Sequence, residues 1–245
     1  MSKVIVITGA GVGLGRAVAR RFASEGEEVV LLGRTASKVE AAAREIGDRA
    51  MAVQCDVSSP ASVKAAFAAI AARHPKIDVL INNAAIFQPF LIADATDEQI
   101  LQIVGTNLMG PVLCVRAAIP MMERGAHIIN VGSESVDMTY PHLVLYQSTK
   151  AGLARLTKGL YHELEPSGIR VTEVRAGTMY EEGKAWDVDP AAAASFGKAC
   201  MEAGLNLMQR PISHMTSVTG IFRTLIDLPP DVQVESVALH AWAQQ

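Results

Sequence analysis

Residues 3–15 read KVIVITGAGVGLG, an apolar run that passes directly into a turn containing four glycines. The β-branched run predicts a buried strand, and the sequence after the turn predicts a helix. A helix N-terminus presents unpaired N–H groups and the positive end of a dipole, and glycines let a pyrophosphate approach the backbone. The order of strand, turn and helix therefore predicts a dinucleotide site. Its expected contacts are Gly9, Gly11, Val12, Gly13, Leu14 and Gly15.

Short β-branched runs alternate with longer Ala- and Leu-rich amphipathic stretches along the rest of the chain. We predict strands at 3–8, 28–33, 50–54, 77–82, 126–132, 169–175 and 232–239. We predict helices at 14–26, 36–46, 60–73, 97–122, 146–166, 190–208 and 212–227. Because the strands are apolar throughout, both faces of their sheet must be covered. The pattern predicts an α/β fold, with a Rossmann-like, doubly wound parallel sheet of about seven strands and helices on both faces.

One segment interrupts this alternation. Residues 176–215 are too long for a simple crossover, and they contain Trp186, Phe196 and four methionines among charged residues. We interpret the segment as a substrate lid within a single domain spanning 1–245, and not as a second domain.

The bulk composition argues against several classes of partner. The net charge of −3 predicts neither nucleic acid nor an anionic membrane as the main partner. The widely spaced Cys55, Cys114 and Cys200 predict reduced thiols in a cytoplasmic protein. The first residues turn polar too early for a signal peptide, and no apolar run approaches the ~20 residues of a membrane helix. We expect no metal site.

The end of the second predicted strand bears on which dinucleotide binds. Gly33 and Arg34 stand there, with Lys38 one helical turn further on. An NAD site would carry an acid to bond the ribose 2′-hydroxyl, whereas an arginine can pair with a 2′-phosphate in forked geometry. We therefore predict NADP(H), with NAD(H) as the alternative, although Arg34 could instead be a solvated loop residue.

Tyr146 and Lys150 stand four residues apart early in a predicted helix and so share one face. An ammonium ~5 Å from the phenol would lower the tyrosine pKa from about 10 by roughly two units. Such a pair is suited to exchanging a proton with a carbonyl or alcohol oxygen. Ser133 is the candidate donor to that oxygen, since it ends a strand at the ligand-binding edge. Asn107 is unfavourable within a helix unless it is functional or stabilises a kink.

A second tyrosine–lysine pair with the same spacing is formed by Tyr180 and Lys184, and Ser167 precedes Tyr180 by the interval that separates Ser133 from Tyr146. Ser167 lies at the start of the strand 169–175, about 20 Å from the ligand-binding edge. Gly183 also interrupts any helix that would align Tyr180 with Lys184. We therefore reject the second pair.

The glycine spacing TGxxxGxG resembles that of the short-chain dehydrogenase/reductase family, in its compact single-domain branch. The resemblance spans roughly residues 3–180 and includes Asn82-Asn83-Ala84-Ala85 and the stretch 167–172. It assigns a catalytic tetrad consisting of Asn107, Ser133, Tyr146 and Lys150.

The resemblance implies hydride transfer between an NADP(H) nicotinamide and a carbonyl or secondary alcohol carbon. Ser133 would polarise the carbonyl and Tyr146 would exchange the proton. Lys150 would lower the tyrosine pKa and hold the nicotinamide ribose, while Asn107 would anchor a water-linked proton relay. Asp56 would bond the adenine amino group, which is compatible with an Asx turn at that residue. Further implied cofactor contacts are Val57, Asn83, Ala84, Gly177 and Met179, together with Arg34, Lys38, Tyr146 and Lys150.

Three departures from the family pattern concern the cofactor pocket. Ala85 and Ala176 replace a usual glycine and a usual proline, and Ala85 is expected to tighten the pocket. Glu181 stands where a hydroxyl residue often touches the cofactor. A carboxylate there would repel a pyrophosphate, so either the loop follows another path or cofactor binding is weakened.

Two other functions remain open beside the oxidoreductase, namely a nonenzymatic NADP-binding sensor or scaffold and, less favoured, an epimerase or dehydratase. An intact tetrad argues against the sensor, and the glycine spacing and chain length argue against the epimerase. By analogy with the family we expect a homodimer or homotetramer formed through helices 97–122 and 146–166. The substrate is expected in a largely apolar pocket whose candidate residues are Phe87, Gln88, Met138, Leu143, Met179 and Trp186.

Overall fold

A computed structural model describes residues 2–182 and 188–242. Its main sheet has seven parallel strands in the order β3-β2-β1-β4-β5-β6-β9, so the predicted doubly wound sheet is confirmed. A separate two-stranded parallel sheet joins β7 to β8. The strands are β1 (Val4–Thr8), β2 (Glu28–Gly33), β3 (Ala50–Gln54), β4 (Val79–Asn82), β5 (His127–Ser133), β6 (Arg170–Ala176), β7 (Met179–Tyr180), β8 (Ser213–His214) and β9 (Ser236–Ala238).

The helices follow the strands in the predicted alternation. They are α1 (Gly13–Ser24), α2 (Ala36–Ile46), α3 (Pro60–Arg73), α4 (Asp97–Val104), α5 (Gly110–Ala118), α6 (Val144–Leu164), α7 (Pro190–Glu202) and α8 (Met215–Asp227). Side-chain caps fix two of the starts, since Ser59 accepts from the Ser62 amide before α3 and Thr96 forms a capping box with Gln99 before α4.

The prediction of one continuous α-helix over residues 97–122 is wrong. A π-helical turn at Gly105–Met109 separates α4 from α5. Such turns are short insertions within α-helices and often mark functional positions, because the widened turn re-aims a side chain. The turn here contains Asn107, whose side chain is buried.

The apolar residues of the main sheet alternate between two buried clusters, one on each face. Val6, Leu80 and Ile128 belong to one cluster, whereas Ile7 and Ile81 belong to the other. Coverage of both faces explains why the strand sequences are apolar throughout. Helices α1, α2 and α8 pack on one face of the central sheet, and α3, α5 and α6 pack on the other.

The connected helical stretch Asp97–Met121 has the length and composition of a membrane span, with a mean hydropathy of 1.4 in its most apolar part. The expectation that no such stretch exists was therefore wrong on those two criteria. Leu113, Cys114, Val115 and Ala118 of this stretch are buried in the cluster that covers one face of the sheet. This packing is that of a core helix in an α/β protein.

The strand order changes direction at β1, because β2 and β3 extend to one side of it and β4, β5 and β6 to the other. In open parallel sheets, ligands bind at such a switch point, beyond the carboxyl ends of the strands. Thr8, Asn82 and Ser133 end β1, β4 and β5 at this edge. The fold thus brings the glycine-rich turn and the predicted catalytic residues to one edge of the sheet.

Candidate active site

The glycine-rich turn needs its glycines for close approach and for backbone conformation. Gly9 and Gly13 have φ values of +67° and +62°, which side chains rarely tolerate. A Cβ on Gly9 would lie 2.9 Å from Cα of Ala84, and one on Gly15 would lie 2.6 Å from Nδ2 of Asn83. The turn therefore presents bare backbone at the start of α1, which is a cradle that fits a dinucleotide pyrophosphate.

Thr8 and Asn83 hold this turn against the end of β4. The Thr8 hydroxyl accepts hydrogen bonds from the amides of Asn83 and Ala84 at 2.9 and 3.0 Å. The Asn83 side-chain amide donates to the carbonyl oxygen of Thr8 at 2.9 Å. Asn83 and Ala84, both predicted cofactor contacts, thus line the turn and fix its shape.

The predicted adenosine-side residues lie around the ends of β2 and β3. Arg34 and Lys38 are exposed, and the stem of Lys38 packs beside Gly11. Asp56 accepts from the amide and hydroxyl of Ser58 at 3.0 and 2.7 Å, which is the Asx turn considered above. The Val57 side chain is buried against Gly110, so only its backbone is placed to meet a ligand.

Ser133, Tyr146 and Lys150 come together at the carboxyl end of β5. Ser133 lies close enough to Tyr146 to lower the pKa of its phenol, and the Ser133 hydroxyl accepts from the Ser135 amide at 3.1 Å. The Lys150 ammonium donates to the carbonyl oxygen of Val131 at 2.7 Å and lies 5.9 Å from the centre of the Tyr146 ring. Tyrosine and lysine therefore share one face of α6, as their spacing predicts.

The electrostatics of this group differ from the expectation. Burial raises the pKa of the Tyr146 phenol above its ordinary value, and the hydrogen bond from Ser133 opposes that rise. Burial also lowers the pKa of Lys150 to about 8, against the raising effect of the nearby Glu173 carboxylate. The direction runs against the expectation that Lys150 brings the tyrosine pKa down towards neutrality, because burial is the largest effect on the phenol.

Asn107 reaches two elements of the site from its π-helical turn. Its side-chain oxygen accepts from the Ile86 amide at 2.7 Å, and its side-chain nitrogen donates to the Ile86 carbonyl at 2.9 Å. The same nitrogen donates to the Thr149 hydroxyl at 3.3 Å. The side chain thereby ties the chain after β4 to the start of α6, between Tyr146 and Lys150.

Two further residues shape the site, and the sequence analysis missed both. Gln147 binds the loop after Ser133, because its side-chain nitrogen donates to the Ser135 carbonyl at 2.6 Å and its oxygen accepts from the Tyr140 amide at 3.2 Å. Glu173 lies buried in β6, with one oxygen paired to Arg175 at 3.0 Å and the other without a hydrogen bond. The sequence contained one signal for Glu173, namely an acidic residue in the middle of a strand that is covered on both faces.

The three family departures have different consequences. Ala85 is accommodated without backbone strain, since His142 is the one non-glycine residue with a positive φ among those the structure describes. Ala176 lets β6 continue in register with Ser133, and Gly177 then passes so close to Leu239 that a Cβ would lie 2.5 Å from its carbonyl oxygen. Glu181 contacts the glycine-rich turn directly, as its carboxylate accepts from the Gly13 amide at 3.2 Å.

An apolar cluster adjoins Tyr146 and gathers several predicted pocket residues. The Phe87 ring packs edge-on against Tyr146 with centroids 4.9 Å apart, and Phe196 of α7 lies 6.3 Å beyond Phe87. Gln88 is nearby in sequence and has a buried side-chain oxygen without a partner. Met179 instead pairs with Ser213 in the small sheet, and Trp186 lies outside the described residues. The cluster comprises Phe87, Met138, Tyr140, Leu143, Tyr146, Phe196, Cys200, Leu205 and Leu207.

The rejected tyrosine–lysine pair does not assemble a second site in the described ranges. Ser167 belongs to a short 3-10 turn at Glu165–Ser167 that precedes β6, at the amino end of the strand. Tyr180 lies in β7, and Lys184 falls outside the described residues. No cluster of three or more metal-ligating side chains occurs in the ranges that the structure covers.

Residues 3–185 match the model of the short chain dehydrogenase family. The chain therefore belongs to the short-chain dehydrogenase/reductase family. It is 33% identical over 216 residues to an uncharacterized oxidoreductase of Methylorubrum extorquens, covering 86% of this chain and 84% of the relative. It is also 32% identical over 181 residues to the NADP-dependent 3-hydroxy acid dehydrogenase YdfG of Salmonella typhi, covering 72% of each.

A solved structure shares the fold over nearly its whole length. The 3-ketoacyl-(acyl-carrier-protein) reductase from Brucella melitensis, crystallised with NADH, superposes with a TM-score of 0.80 at 29% identity. The match covers 97% of this chain and 96% of the reductase. The family and this superposition together define an oxidoreductase scaffold.

Proposed function

We propose that this chain is an NADP(H)-dependent oxidoreductase that transfers a hydride between the nicotinamide and a carbonyl or secondary alcohol carbon, with Tyr146 as general acid and base. The observation that carries the proposal is the junction of Ser133, Tyr146 and Lys150 at the edge that also bears the glycine cradle. Relatives that bind NADH or depend on NADP support the cofactor class. The bare backbone at Gly9 and Gly15 fits such a dinucleotide.

The bound nicotinamide supplies or accepts the hydride, and the chain's own residues handle the oxygen and its proton. In the reducing direction, the Tyr146 hydroxyl gives its proton to the substrate oxygen as the carbonyl becomes an alcohol. Ser133 donates a hydrogen bond to the same oxygen and stabilises the charge that develops there. Tyr146 then recovers a proton from solvent along a path that passes Lys150. Oxidation of an alcohol runs the same steps in reverse.

Lys150 and Asn107 act as organisers of this proton transfer. The Lys150 cation favours the phenolate form of Tyr146, an effect opposed by burial. Its hydrogen bond to Val131 holds it in position beside the ribose site. Asn107 fixes Ile86 and Thr149, so we propose that it maintains the gap between α5 and α6 through which a proton relay passes.

NADP(H) is preferred over NAD(H) in this proposal. Arg34 follows β2 directly, is exposed, and makes no side-chain hydrogen bond or ion pair within the described ranges. Its guanidinium is thus available to a 2′-phosphate, and Lys38 adds a second positive charge one turn later. Asp56 and Val57, at the end of β3, would border the adenine.

The substrate side is the apolar cluster beside Tyr146. We propose that residues 176–215 form a lid within a single domain, because Phe196 and Cys200 of this segment are buried against Tyr140 and Leu143. A carbonyl compound with an apolar body fits such surroundings. Gly177 and Met179 would lie at the border between this lid and the cofactor.

We also propose a homodimer or homotetramer in the cytoplasm. Apolar side chains are exposed on the helices through which family members are expected to associate, namely Leu101, Met109, Val112 and Val144. Sedimentation of wild type and a Val112→Glu variant tests the oligomeric state, and a wild-type monomer contradicts the proposal.

The buried, free thiols of Cys55, Cys114 and Cys200 agree with a reducing compartment.

The test of the function is turnover. NADPH consumption is followed with a panel of 3-oxo acids, aliphatic and aromatic ketones and steroid ketones, and the alcohol product is quantified in parallel. We expect stoichiometric alcohol with at least one class. If the chain binds NADPH and turns over no member of the panel in either direction, the nonenzymatic sensor becomes the better account.

A further inference from the structure

Glu181 connects the segment after β6 to the glycine-rich turn. Its carboxylate accepts from the Gly13 amide at 3.2 Å and forms a close ion pair with the Arg16 guanidinium. The side chain is 18% exposed, so the contact is largely shielded from water. Gly13 and Arg16 lie on the first turn of α1, more than 160 residues earlier in the chain.

The α1 terminus has no side-chain acceptor of its own for the Gly13 amide, and Arg16 also pairs with Glu45 of α2 at the longer distance of 3.9 Å. Val12 makes no side-chain cap, and the first turn of α1 contains no acidic residue. The free amides and the dipole of a helix start attract an anion, and the adjacent guanidinium adds a full positive charge. Glu181 is the anion that this chain brings to them.

The groups that Glu181 uses are those expected to hold the dinucleotide. Gly13 is the middle glycine of the cradle formed with Gly9 and Gly15, and its amide belongs to the first turn of α1, where a pyrophosphate is expected to bind. One amide cannot bond a carboxylate and a phosphate at full strength together. Two anions in contact also repel each other strongly where water is partly excluded.

We propose that Glu181 is a built-in competitor for the pyrophosphate, so that the dinucleotide binds only when the carboxylate releases Gly13 and Arg16. This inference rests on the proposed function, because it takes a pyrophosphate-containing cofactor as the ligand. Glu181 thereby weakens cofactor affinity while it stabilises the glycine-rich turn of the unliganded chain.

The segment that carries Glu181 also contacts the chemical end of the site. Thr178, three residues earlier, donates to the buried Glu134 carboxylate at 3.2 Å, and Glu134 directly follows Ser133. Glu134 also pairs with Arg210 at 3.4 Å and with His240 at 3.0 Å. The segment that carries Glu181 is therefore anchored beside Ser133 through Thr178.

The test compares dissociation constants measured by calorimetry for the full chain and two variants. Glu181→Gln keeps the shape and removes the charge, while Glu182→Gln makes the same change at the exposed neighbouring residue. We expect Glu181→Gln to bind NADPH about tenfold more tightly than wild type, and Glu182→Gln to match wild type. Adenosine 2′-monophosphate, which has the 2′-phosphate and no pyrophosphate, should bind all three proteins equally.

Each result bears on the proposal. Unchanged or weaker NADPH binding by Glu181→Gln overturns it, as does an equal gain for adenosine 2′-monophosphate. Binding of NADPH to neither wild type nor variant overturns the proposed function as well. If the variant unfolds too readily for calorimetry, the rise in Tm on adding NADPH replaces it, and a rise no larger than in wild type contradicts the proposal.

Discussion

The phosphate end and the chemical end of the site share one edge of the sheet but satisfy their polar groups differently. At the chemical end, Lys150 is held by Val131 and Asn107 by Ile86, so scaffold contacts fix the groups in their working positions. At the phosphate end, Gly13 and Arg16 are bound by Glu181, an acid of the same chain. Under the proposed function, the comparison leads us to infer that the proton-transfer geometry is prebuilt, whereas cofactor binding has to break an internal contact.

The largest effect that sharpens this comparison is expected at the chemical end. Ser133→Ala removes the donor to the substrate oxygen and the hydrogen bond that opposes the rise in the Tyr146 pKa. We expect kcat to fall about 10²- to 10³-fold with the Kd for NADPH unchanged. The measurement is steady-state turnover together with a fluorescence titration of NADPH.

Ser135→Ala is the matched control for that change. Ser135 is a buried serine two residues away, and its hydroxyl has no hydrogen-bond partner. Its removal should alter kcat less than threefold, roughly what loss of an unengaged hydroxyl costs. Equal losses of kcat in the two variants would mean that packing of the loop after β5, and not the Ser133 hydroxyl, determines the rate of turnover.

A second, smaller effect is expected at the phosphate end. Arg34→Ala should weaken NADPH binding about 10- to 100-fold and leave NADH binding unaltered, because only NADPH carries the 2′-phosphate. Arg44→Ala, an exposed arginine at the far end of α2, should change neither constant. Similar losses for the two cofactors in Arg34→Ala would remove the basis for NADP preference.

The smallest effect concerns pH. The Lys150 pKa of about 8 lies below the value for lysine in the unfolded chain. The folded protein is therefore least stable at pH values where the buried Lys150 has to be protonated. The free energy of unfolding should therefore rise with pH from about 8 towards about 10.4. Glu173 raises the Lys150 pKa, and Glu173 itself is paired with Arg175, which also pairs with Asp137.

Glu173→Gln removes that raising effect. Rates that require the Lys150 cation should begin to fall at a lower pH than in wild type. Glu235→Gln, the same substitution at an exposed residue before β9, should leave the kcat/KM profile in place. An unmoved alkaline limb in Glu173→Gln, or one moved to higher pH, contradicts the assigned influence of Glu173.

Much of the architecture could be predicted because it depends on local patterns. Glycine spacing, apolar strands and caps such as Ser59 and Thr96 each specify structure within a few residues. The pairing of Tyr146 with Lys150 follows equally from helical periodicity. These features explain why the order of the main-sheet strands and the gathering of three catalytic candidates agree with expectation.

The remainder depends on contacts between distant parts of the chain. Glu181 meets Gly13 because two short strands, β7 and β8, redirect the segment after β6, and neither strand has a periodic pattern long enough to predict. The same pairing delays the start of α8 to Met215, whereas the expected start was 212. The Tyr146 pKa was misjudged because its burial depends on Phe87 and α7, which spacing does not reveal.

Single-turnover reduction of a carbonyl substrate by Tyr146→Phe with NADPH already bound tests the central claim most directly. The variant keeps the ring that packs on Phe87 and loses only the hydroxyl. We predict that the Kd for NADPH stays within twofold of wild type while the rate of NADPH oxidation falls about 10²- to 10⁴-fold. A rate equal to that of wild type at saturating cofactor would contradict Tyr146 as the proton donor.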